Sequence, residues 1–216
     1  MSKIVHYCDT ITLRKSHLII CDTEADKEYF SMEFNIPLAT FLVLYLKADV
    51  TYYDPKLIEK YYKNDNKLKV IYFGSILPLQ GVEVILDTML LLKDNKDIQF
   101  TIIGPIKIEE SRKKLEFPNT KFISWLSQKE LAIEIAKSDL CLAGHFHGQI
   151  GKAKRTIAGK TYIYKAMRKP VVLGDNAANR ELFKEDHMNY FVKMGDAKAL
   201  ANLLVRIEKG GIKNDL

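Results

Sequence analysis

The sequence predicts an α/β fold: a doubly wound, parallel sheet over residues 68–208, preceded by a partial βα segment. Strand-like stretches after residue 67 are short, continuous apolar runs such as Leu68–Phe73, and single stretches of helical spacing separate them. Continuous apolar strands indicate a sheet covered on both faces, as parallel sheets usually are. The 216 residues, 47% of them hydrophobic and 28% charged, fit an ordinary globular chain.

The first 50 residues show the same alternation on a smaller scale, and we predict that they form a separate segment. Thr23 followed by Asp26 three residues later is typical of a helix N-cap, and Pro37 marks the end of that helix. Residues 51–67 are polar, aromatic and charged, which indicates a linker. The predicted elements are a first helix, a strand at 17–21, a helix at 24–34, a strand at 40–46 and a linker helix at 55–63.

Hydrophobic spacing divides the rest of the chain into alternating strands and helices, followed by a tail at 209–216. Val82, Ile85 and Met89 recur at helical spacing, and Ser127 with Glu130 predicts a capping box. The predicted strands lie at 68–73, 98–103, 121–124, 139–142, 171–173 and 190–192. The predicted helices lie at 82–90, 109–116, 127–137, 160–167, 176–183 and 196–208.

Every loop at the predicted carboxyl edge of the sheet begins with or contains glycine. Ligands bind at this edge in doubly wound sheets. The loops therefore predict one shared cleft rather than four unrelated turns. They span residues 74–81, 104–108, 143–160 and 174–176.

The stretch from Gly148 to Asp175 is densely basic and leads into the N-terminus of a helix, an arrangement that suits a phosphate group. Lys160 starts the helix and Arg155 lies five residues earlier, so both cations are predicted to converge on a diphosphate. A solvated basic surface helix is the alternative. The basic residues before Pro170 are Lys152, Lys154, Arg155, Lys160, Lys165, Arg168 and Lys169, and no acid interrupts them.

The loop from Gly74 to Gly81 is the second candidate ligand-binding element. Its glycines allow the backbone to approach a ligand, and Ser75 and Gln80 offer neutral hydrogen bonds. The loop matches neither a Walker loop nor a GxGxxG fingerprint, so a plain strand-to-helix turn is the alternative.

Cys141, His145 and His147 are residue types that bind metals, but no fourth ligand is evident and no metal is expected. Contact between His147 and a sugar or phosphate is the preferred interpretation. Only Tyr162 and Tyr164 interleave the basic stretch, too few aromatic residues for base stacking, so no nucleic-acid partner is expected.

Cysteine usage and hydropathy bear on the cellular setting. Three cysteines without framework spacing, and an N-terminus without the apolar core of a signal peptide, favour a cytoplasmic protein. The net charge of +6 favours anionic partners, which leaves peripheral contact with the inner face of a membrane open. The longest apolar run, Phe41–Leu46, is too short to span a bilayer.

The order of motifs resembles family-4 glycosyltransferases, retaining enzymes of the two-domain GT-B fold, and mainly their C-terminal, Rossmann-like nucleotide-sugar-binding domain. The resemblance runs from about Ser16 to Ile207. It is carried by YFG at 72–74, PLQGVE at 78–83, FTIIG at 100–104, DLCL at 139–142, KAKR at 152–155, KTYIY at 160–164, AMRKPVV at 166–172, ANRELF at 178–183 and GD at 195–196.

This resemblance implies transfer of a sugar, with retention, from a nucleoside-diphosphate sugar to a glycan or lipid-linked acceptor in polysaccharide biosynthesis. Arg155 and Lys160 are then the catalytic cations that steady the leaving diphosphate, and neither a metal nor another cofactor is required. The implied donor-binding residues are Gly74, Ser75, Gln80, Gly81, Gly104, His147, Gly148, Tyr162, Ile163, Asp175 and Asn176.

The sequence departs from the family pattern at several of these positions. Ile163 stands where members usually carry the Glu that holds the donor ribose, and Arg155 stands where many have a sugar-contacting Glu. Ser75 and Gln80 replace basic residues of the first loop. Because Ile163 cannot accept a ribose hydroxyl, donor affinity is expected to be lower by roughly one to two decades.

The resemblance also implies a division of the chain. Residues 1–50 correspond to the last part of an N-terminal, acceptor-binding domain, residues 51–67 to the linker and residues 68–208 to the donor-binding domain. We therefore expect a truncated enzyme, with a separate chain as one possible source of the acceptor domain. The alternative is a degenerate, non-catalytic binding subunit.

Overall fold

The computed structural model describes residues 3–109 and 115–210 and has the predicted α/β class. The helices are α1 Lys3–Lys15, α2 Glu24–Phe34, α3 Lys56–Tyr61, α4 Val82–Leu91, α5 Gln128–Lys137, α6 Gly151–Arg155, α7 Gly159–Ala166, α8 Ala177–Leu182 and α9 Ala197–Gly210. The strands are β1 Ile19–Cys21, β2 Phe41–Val43, β3 Leu68–Phe73, β4 Ile98–Ile103, β5 Thr120–Ile123, β6 Leu140–Gly144, β7 Val171–Gly174 and β8 Asn189–Val192. Short 3-10 turns lie at Leu38–Thr40 and Pro78–Gln80.

Six parallel strands form the main sheet in the order β5-β4-β3-β6-β7-β8. The chain builds outward from β3 to β5 and then returns to add β6, β7 and β8 on the other side. The strand order therefore reverses between β3 and β6. A crevice opens at the carboxyl ends of the two strands that flank such a reversal, and ligands bind there.

The sheet separates two apolar layers, as continuous apolar strands require. Val70 and Tyr72 of β3 face a core completed by α4 and α9, whereas Ile71, between them, faces a core completed by α3, α5 and α7. All three side chains are at most 1% exposed. Both faces of the sheet are thus covered, and its ligand-binding surface is confined to the strand ends.

Residues 3–46 form a smaller unit around a two-stranded parallel sheet, β1–β2. Phe34 and Phe41 are buried in its core, and Thr23 caps α2 by accepting a hydrogen bond from the Asp26 amide, as the sequence predicts. The outer face remains apolar and exposed: Ile20 pairs with Leu42, and they are 59% and 43% exposed.

The structure corrects several sequence-based boundaries. The loop predicted over 143–160 contains the short helix α6, because Ala153 is fully buried and anchors that turn. The second strand is shorter than the predicted 40–46, since only Phe41–Val43 pairs with β1. The helix predicted at 109–116 falls mostly on residues 110–114, outside the described residues, as does the tail beyond Gly210. No helix in the described part of the chain is long and apolar enough to cross a membrane.

Candidate functional site

Lys160, at the start of α7, lies in the crevice between the ends of β3 and β6. Its Nζ donates a hydrogen bond of 2.7 Å to Gln80 Oε1 and lies 4.0 Å from the centroid of the Tyr72 ring. Gly74, after β3, and Gly144, at the end of β6, both border this atom: a Cβ on either residue would lie within 4 Å of Lys160 Nζ. The first turn of α7 therefore positions this ammonium group between the carboxyl ends of β3 and β6, where the strand order reverses.

The Lys160 ammonium is buried without a counter-charge. The residue is 7% exposed, and the described residues provide it with a neutral amide and an aromatic ring but no carboxylate. Burial lowers the pKa of Lys160 from 10.5 to about 7, since the charged form has lost most of its water. A buried cation in this state is stabilised by an anion that enters the crevice.

The neighbouring His145 adds no charge. Burial, followed by the repulsion of Lys160, lowers the pKa of His145 to about 4, so its ring is neutral at pH 7. The Thr156 hydroxyl donates its single proton to Lys152 O, and it therefore accepts the 3.2 Å hydrogen bond from His145 Nδ1. This bond leaves Nε2 as the acceptor nitrogen.

Glycines allow close approaches around the crevice, one of them to Lys160 itself. A Cβ on Gly74 would lie 2.8 Å from Lys160 Nζ, so a larger residue would displace the ammonium group. Gly81 has a φ of +66°, and a Cβ there would lie 2.6 Å from the His147 backbone nitrogen. Gly104, at the end of β4, contacts the Gly74 carbonyl in the same way, which holds the first two glycine loops against each other.

The third loop, residues 143–160, packs against Gly81 and approaches the start of α4. His147 Nδ1 accepts hydrogen bonds of 3.2 Å from the amides of Gln149 and Ile150, which leaves the proton on Nε2. Nε2 lies 3.9 Å from Glu83 Oε1 of α4. Gly148 packs against the carbonyl of Met194. Ser75 is exposed in the first loop, where its carbonyl accepts a long, 3.5 Å hydrogen bond from Tyr72.

Arg155 points to the N-terminal segment rather than to Lys160. Its Nε donates a 2.6 Å hydrogen bond to Asp26 Oδ1, and its guanidinium stacks 3.6 Å above the Tyr29 ring. The Thr23 hydroxyl donates to the Arg155 carbonyl at 2.7 Å. The structure therefore does not bring the two predicted cations to one point, and the charge of Arg155 is already matched.

Tyr162 and Ile163 lie on two different sides of α7. Tyr162 has residues of the N-terminal segment as neighbours, and burial, followed by the charge of Asp22, raises the pKa of its hydroxyl to about 12. Ile163 is half-buried and packs against the core shared with α3 and α5. Neither side chain provides an acceptor for a sugar hydroxyl next to Lys160.

The turn after β7 is held by internal bonds. Asp175 receives two hydrogen bonds from Arg180, at 2.8 and 3.0 Å. Asn176 caps α8 by accepting from the Asn179 amide at 2.7 Å, and its own amide donates to Ala153 O at 2.9 Å. Both predicted donor-binding side chains of this turn are thus engaged within the protein.

The remaining cations of the basic stretch do not form a continuous phosphate-binding strip. Lys169 is 4% exposed and donates to the carbonyls of Ala136 and Ser138 at the end of α5. Lys165 donates to Asn189 Oδ1 at 3.0 Å. The interpretation as a solvated basic helix is wrong for these residues, and Lys160 is the buried cation at the strand ends.

The side chains considered as metal ligands do not converge. Cys141 is fully buried in the core beneath α7, and His145 and His147 are each held by the bonds described above. No group of three or more His, Cys, Asp or Glu residues able to hold a metal ion occurs within residues 3–109 and 115–210.

A protein-family model described as "Glycosyl transferases group 1" matches residues 67–209, well over half of the chain. The chain belongs to the group 1 glycosyl transferases. Its parallel sheet corresponds to the Rossmann-like C-terminal half of a GT-B glycosyltransferase. A search of the curated proteins finds no match to the sequence.

Solved structures share the fold at low identity. HepE (Alr3699) of Anabaena in complex with UDP superposes with a TM-score of 0.77 at 16% identity, covering 97% of this chain and 59% of HepE. Sucrose-phosphate synthase from Thermosynechococcus elongatus gives 0.73 at 14%, covering 95% and 52%. A glycosyltransferase from Rickettsia africae gives 0.69 at 16%, covering 96% and 58%. This glycosyl transferase chain thus spans between half and three fifths of these proteins.

Two features of this glycosyl transferase were not predicted from its sequence. Tyr72 forms an aromatic floor under Lys160, and Gly144 borders the same ammonium group. Gly144 ends a strand, as Gly74 and Gly104 follow theirs, so the recurrence of glycine after strands was a usable signal. Tyr72 sits in a continuous apolar strand, where nothing in the sequence separates it from an ordinary core residue.

Proposed function

We propose that this chain is the donor-binding part of a family-4 retaining glycosyltransferase, which transfers a sugar from a nucleoside-diphosphate sugar to a glycan or lipid-linked acceptor. The supporting observation is the buried Lys160 ammonium without a carboxylate partner, at the strand reversal and beneath two glycine loops. HepE, which shares this fold, was solved with UDP and with UDP-glucose.

In this proposal Lys160 acts on the leaving diphosphate. As the bond between the anomeric carbon and the diphosphate oxygen breaks, negative charge builds on that oxygen, and a fixed cation in a dry crevice stabilises it. The loop from Gly74 to Gly81 contributes backbone N–H groups. Arg155 acts at a distance, since its bonds to Asp26 and Tyr29 hold α6 against the N-terminal segment.

The proposal is tested by calorimetric titration of the chain with UDP, UDP-glucose and GDP. We expect UDP or GDP to bind with a measurable Kd, and the matching sugar nucleotide to bind at the same site. Absence of binding at millimolar concentrations of all three ligands would contradict the donor site.

The lowered pKa of Lys160 predicts that diphosphate binding is coupled to proton uptake. The free side chain, with a pKa of about 7, is mostly neutral at pH 8.5, and it must be protonated to pair with the diphosphate. We expect the Kd of UDP to rise about tenfold per pH unit between pH 8 and 9. Binding enthalpies measured in HEPES and in Tris at pH 8.5 should differ by the difference between the ionisation enthalpies of the two buffers, multiplied by close to one proton taken up. Equal enthalpies and a Kd that does not change with pH would contradict the coupling.

A non-catalytic, degenerate glycosyltransferase-like binding subunit is the second candidate function, and Ile163 favours it. This half-buried side chain offers no acceptor to a ribose. If the site still binds nucleoside diphosphates, Ile163→Glu is expected to strengthen UDP binding about tenfold through new ribose hydrogen bonds.

The Ile163→Glu experiment has an internal control. The gain should disappear with 2′,3′-dideoxy-UDP, which lacks the ribose hydroxyls, and Ile163→Met should bind UDP like the native chain. An unchanged UDP affinity in a folded Ile163→Glu variant would favour loss of donor chemistry and hence the second function.

An acceptor domain provided by a separate chain stays a prediction, as do the cytoplasmic location and contact with the inner face of a membrane. The paired, exposed Ile20 and Leu42 support an apolar partner for the small sheet, because polypeptides commonly bury such faces.

A further inference from the structure

A second cleft, of about 760 Å³, opens away from the crevice that holds Lys160. Its floor is the amino-terminal half of the sheet, where Lys69 of β3 pairs with Gln99 of β4 and Thr101 of β4 pairs with Lys121 of β5. Because side chains alternate along strands, these four side chains project from one face. Lys160, by contrast, lies beyond the carboxyl ends of the strands.

The cleft walls come from α3 with its following loop and from the end of α5. The volume is in the range of small-molecule sites, and the lining combines polar groups with the aromatic Tyr61. The lining residues from the walls are Lys60, Tyr61, Lys63, Asp65, Glu134, Lys137 and Ser138.

The charges of the cleft are unbalanced. Five lysines stand against two carboxylates, which leaves a net charge of +3. Glu134 is shared, since its two oxygens lie 2.8 Å from Lys137 Nζ and 3.1 Å from Lys121 Nζ. Asp65 lies 3.1 Å from Lys69 Nζ.

Lys60 and Lys63 account for much of the excess positive charge, because neither forms an ion pair with a carboxylate of the described residues. Both are exposed at the mouth of the cleft, and Lys60 Nζ lies 5.1 Å from the centroid of the Tyr61 ring. A concave surface with excess positive charge concentrates anions.

We propose that this cleft binds a phosphorylated ligand, with Lys60 and Lys63 pairing with the phosphate oxygens and Gln99 and Thr101 donating neutral hydrogen bonds from the floor. Lysine binds phosphate as a point charge, and the adjacent amide and hydroxyl groups suit the remaining oxygens. A free phosphate compound and the head group of an anionic phospholipid share this chemistry. The site is independent of the donor crevice.

The test follows the backbone amides of an isotope-labelled chain by NMR while inorganic pyrophosphate is added. Residue-by-residue readout separates this cleft from the donor crevice, where the probe also fits. We expect the amides of Gln99, Thr101 and Lys121 to shift in a saturable manner. The double variant Lys60→Gln/Lys63→Gln should weaken that response about tenfold.

Lys193→Gln/Lys198→Gln removes the same charge from exposed positions outside the cleft and serves as the matched control. It should leave the response of the cleft amides unchanged.

A second arm measures sedimentation with phosphatidylcholine vesicles that contain phosphatidylglycerol. Vesicle binding that only the Lys60/Lys63 variant loses identifies a lipid head group; pyrophosphate binding without vesicle binding identifies a free phosphate compound. Failure of both probes, or equal losses in the two variants, would overturn the proposal.

Discussion

Replacing Lys160 with Met is expected to raise the Kd of UDP about a hundredfold. The substitution keeps an unbranched apolar stem in the crevice but removes the cation, and a charge-assisted hydrogen bond to a buried phosphate stabilises a complex by about 1.5–3 kcal/mol. Calorimetry at pH 7 measures the change. Lys165→Met, on the same helix but bonded to Asn189, is the matched control and should bind UDP with the native Kd.

The same variant should be more stable than the native chain without ligand. The native pKa of Lys160 is about 7 against 10.5 for the ordinary side chain, so burial of the charged form opposes folding fully below pH 7 and no longer does so above pH 10.5. We expect thermal unfolding to give a gain of about 1–3 kcal/mol at pH 6, after the lost bond to Gln80 is offset. A native Kd for UDP in this variant would remove Lys160 from the donor site.

The position of the crevice could be predicted from the sequence, whereas the pairing of its cations could not. Glycine after β3 and β4, and a lysine at the start of α7, predicted the position of the crevice, because parallel topology forces strand ends and helix starts together. The partner of each cation was not accessible. Arg155 and Lys160 are five residues apart in one basic stretch. The chain turns after α6, however, so that Arg155 binds Asp26 and Lys160 binds Gln80.

Asp26 illustrates why such pairing escapes sequence reasoning. Its position three residues after Thr23 predicted that Thr23 caps α2, and the Asp26 amide does donate to the Thr23 hydroxyl. Its carboxylate, however, meets a guanidinium from a residue more than a hundred positions later, and periodicity carries no information at that separation. The net charge of the basic stretch was therefore a poor guide to the charge available for a ligand.

The contact between the N-terminal segment and the sheet domain depends on Glu181 of α8. Its two carboxylate oxygens accept hydrogen bonds from the amides of Glu24 and Ala25 at 2.8 and 2.7 Å, and the Tyr45 hydroxyl donates to one of them at 3.1 Å. A carboxylate at a helix N-terminus also interacts favourably with the helix dipole. One side chain thus satisfies unpaired donors of α2 and links both α2 and the C-terminal end of the segment to the domain.

Glu181→Gln is expected to lower the free energy of unfolding by about 2–3 kcal/mol and to increase hydrogen exchange throughout α2. The amide of Gln keeps one acceptor oxygen but turns an NH2 group toward a backbone N–H, so one donor of α2 loses its partner. Exchange measured by mass spectrometry on peptides that cover residues 19–34 reports this directly. Glu185→Gln, whose carboxylate is 3.7 Å from Arg180 and exposed, should leave exchange in α2 unchanged. Native exchange rates in the Glu181→Gln variant would show that the contacts of Arg155 with Thr23, Asp26 and Tyr29 hold the segment in place without Glu181.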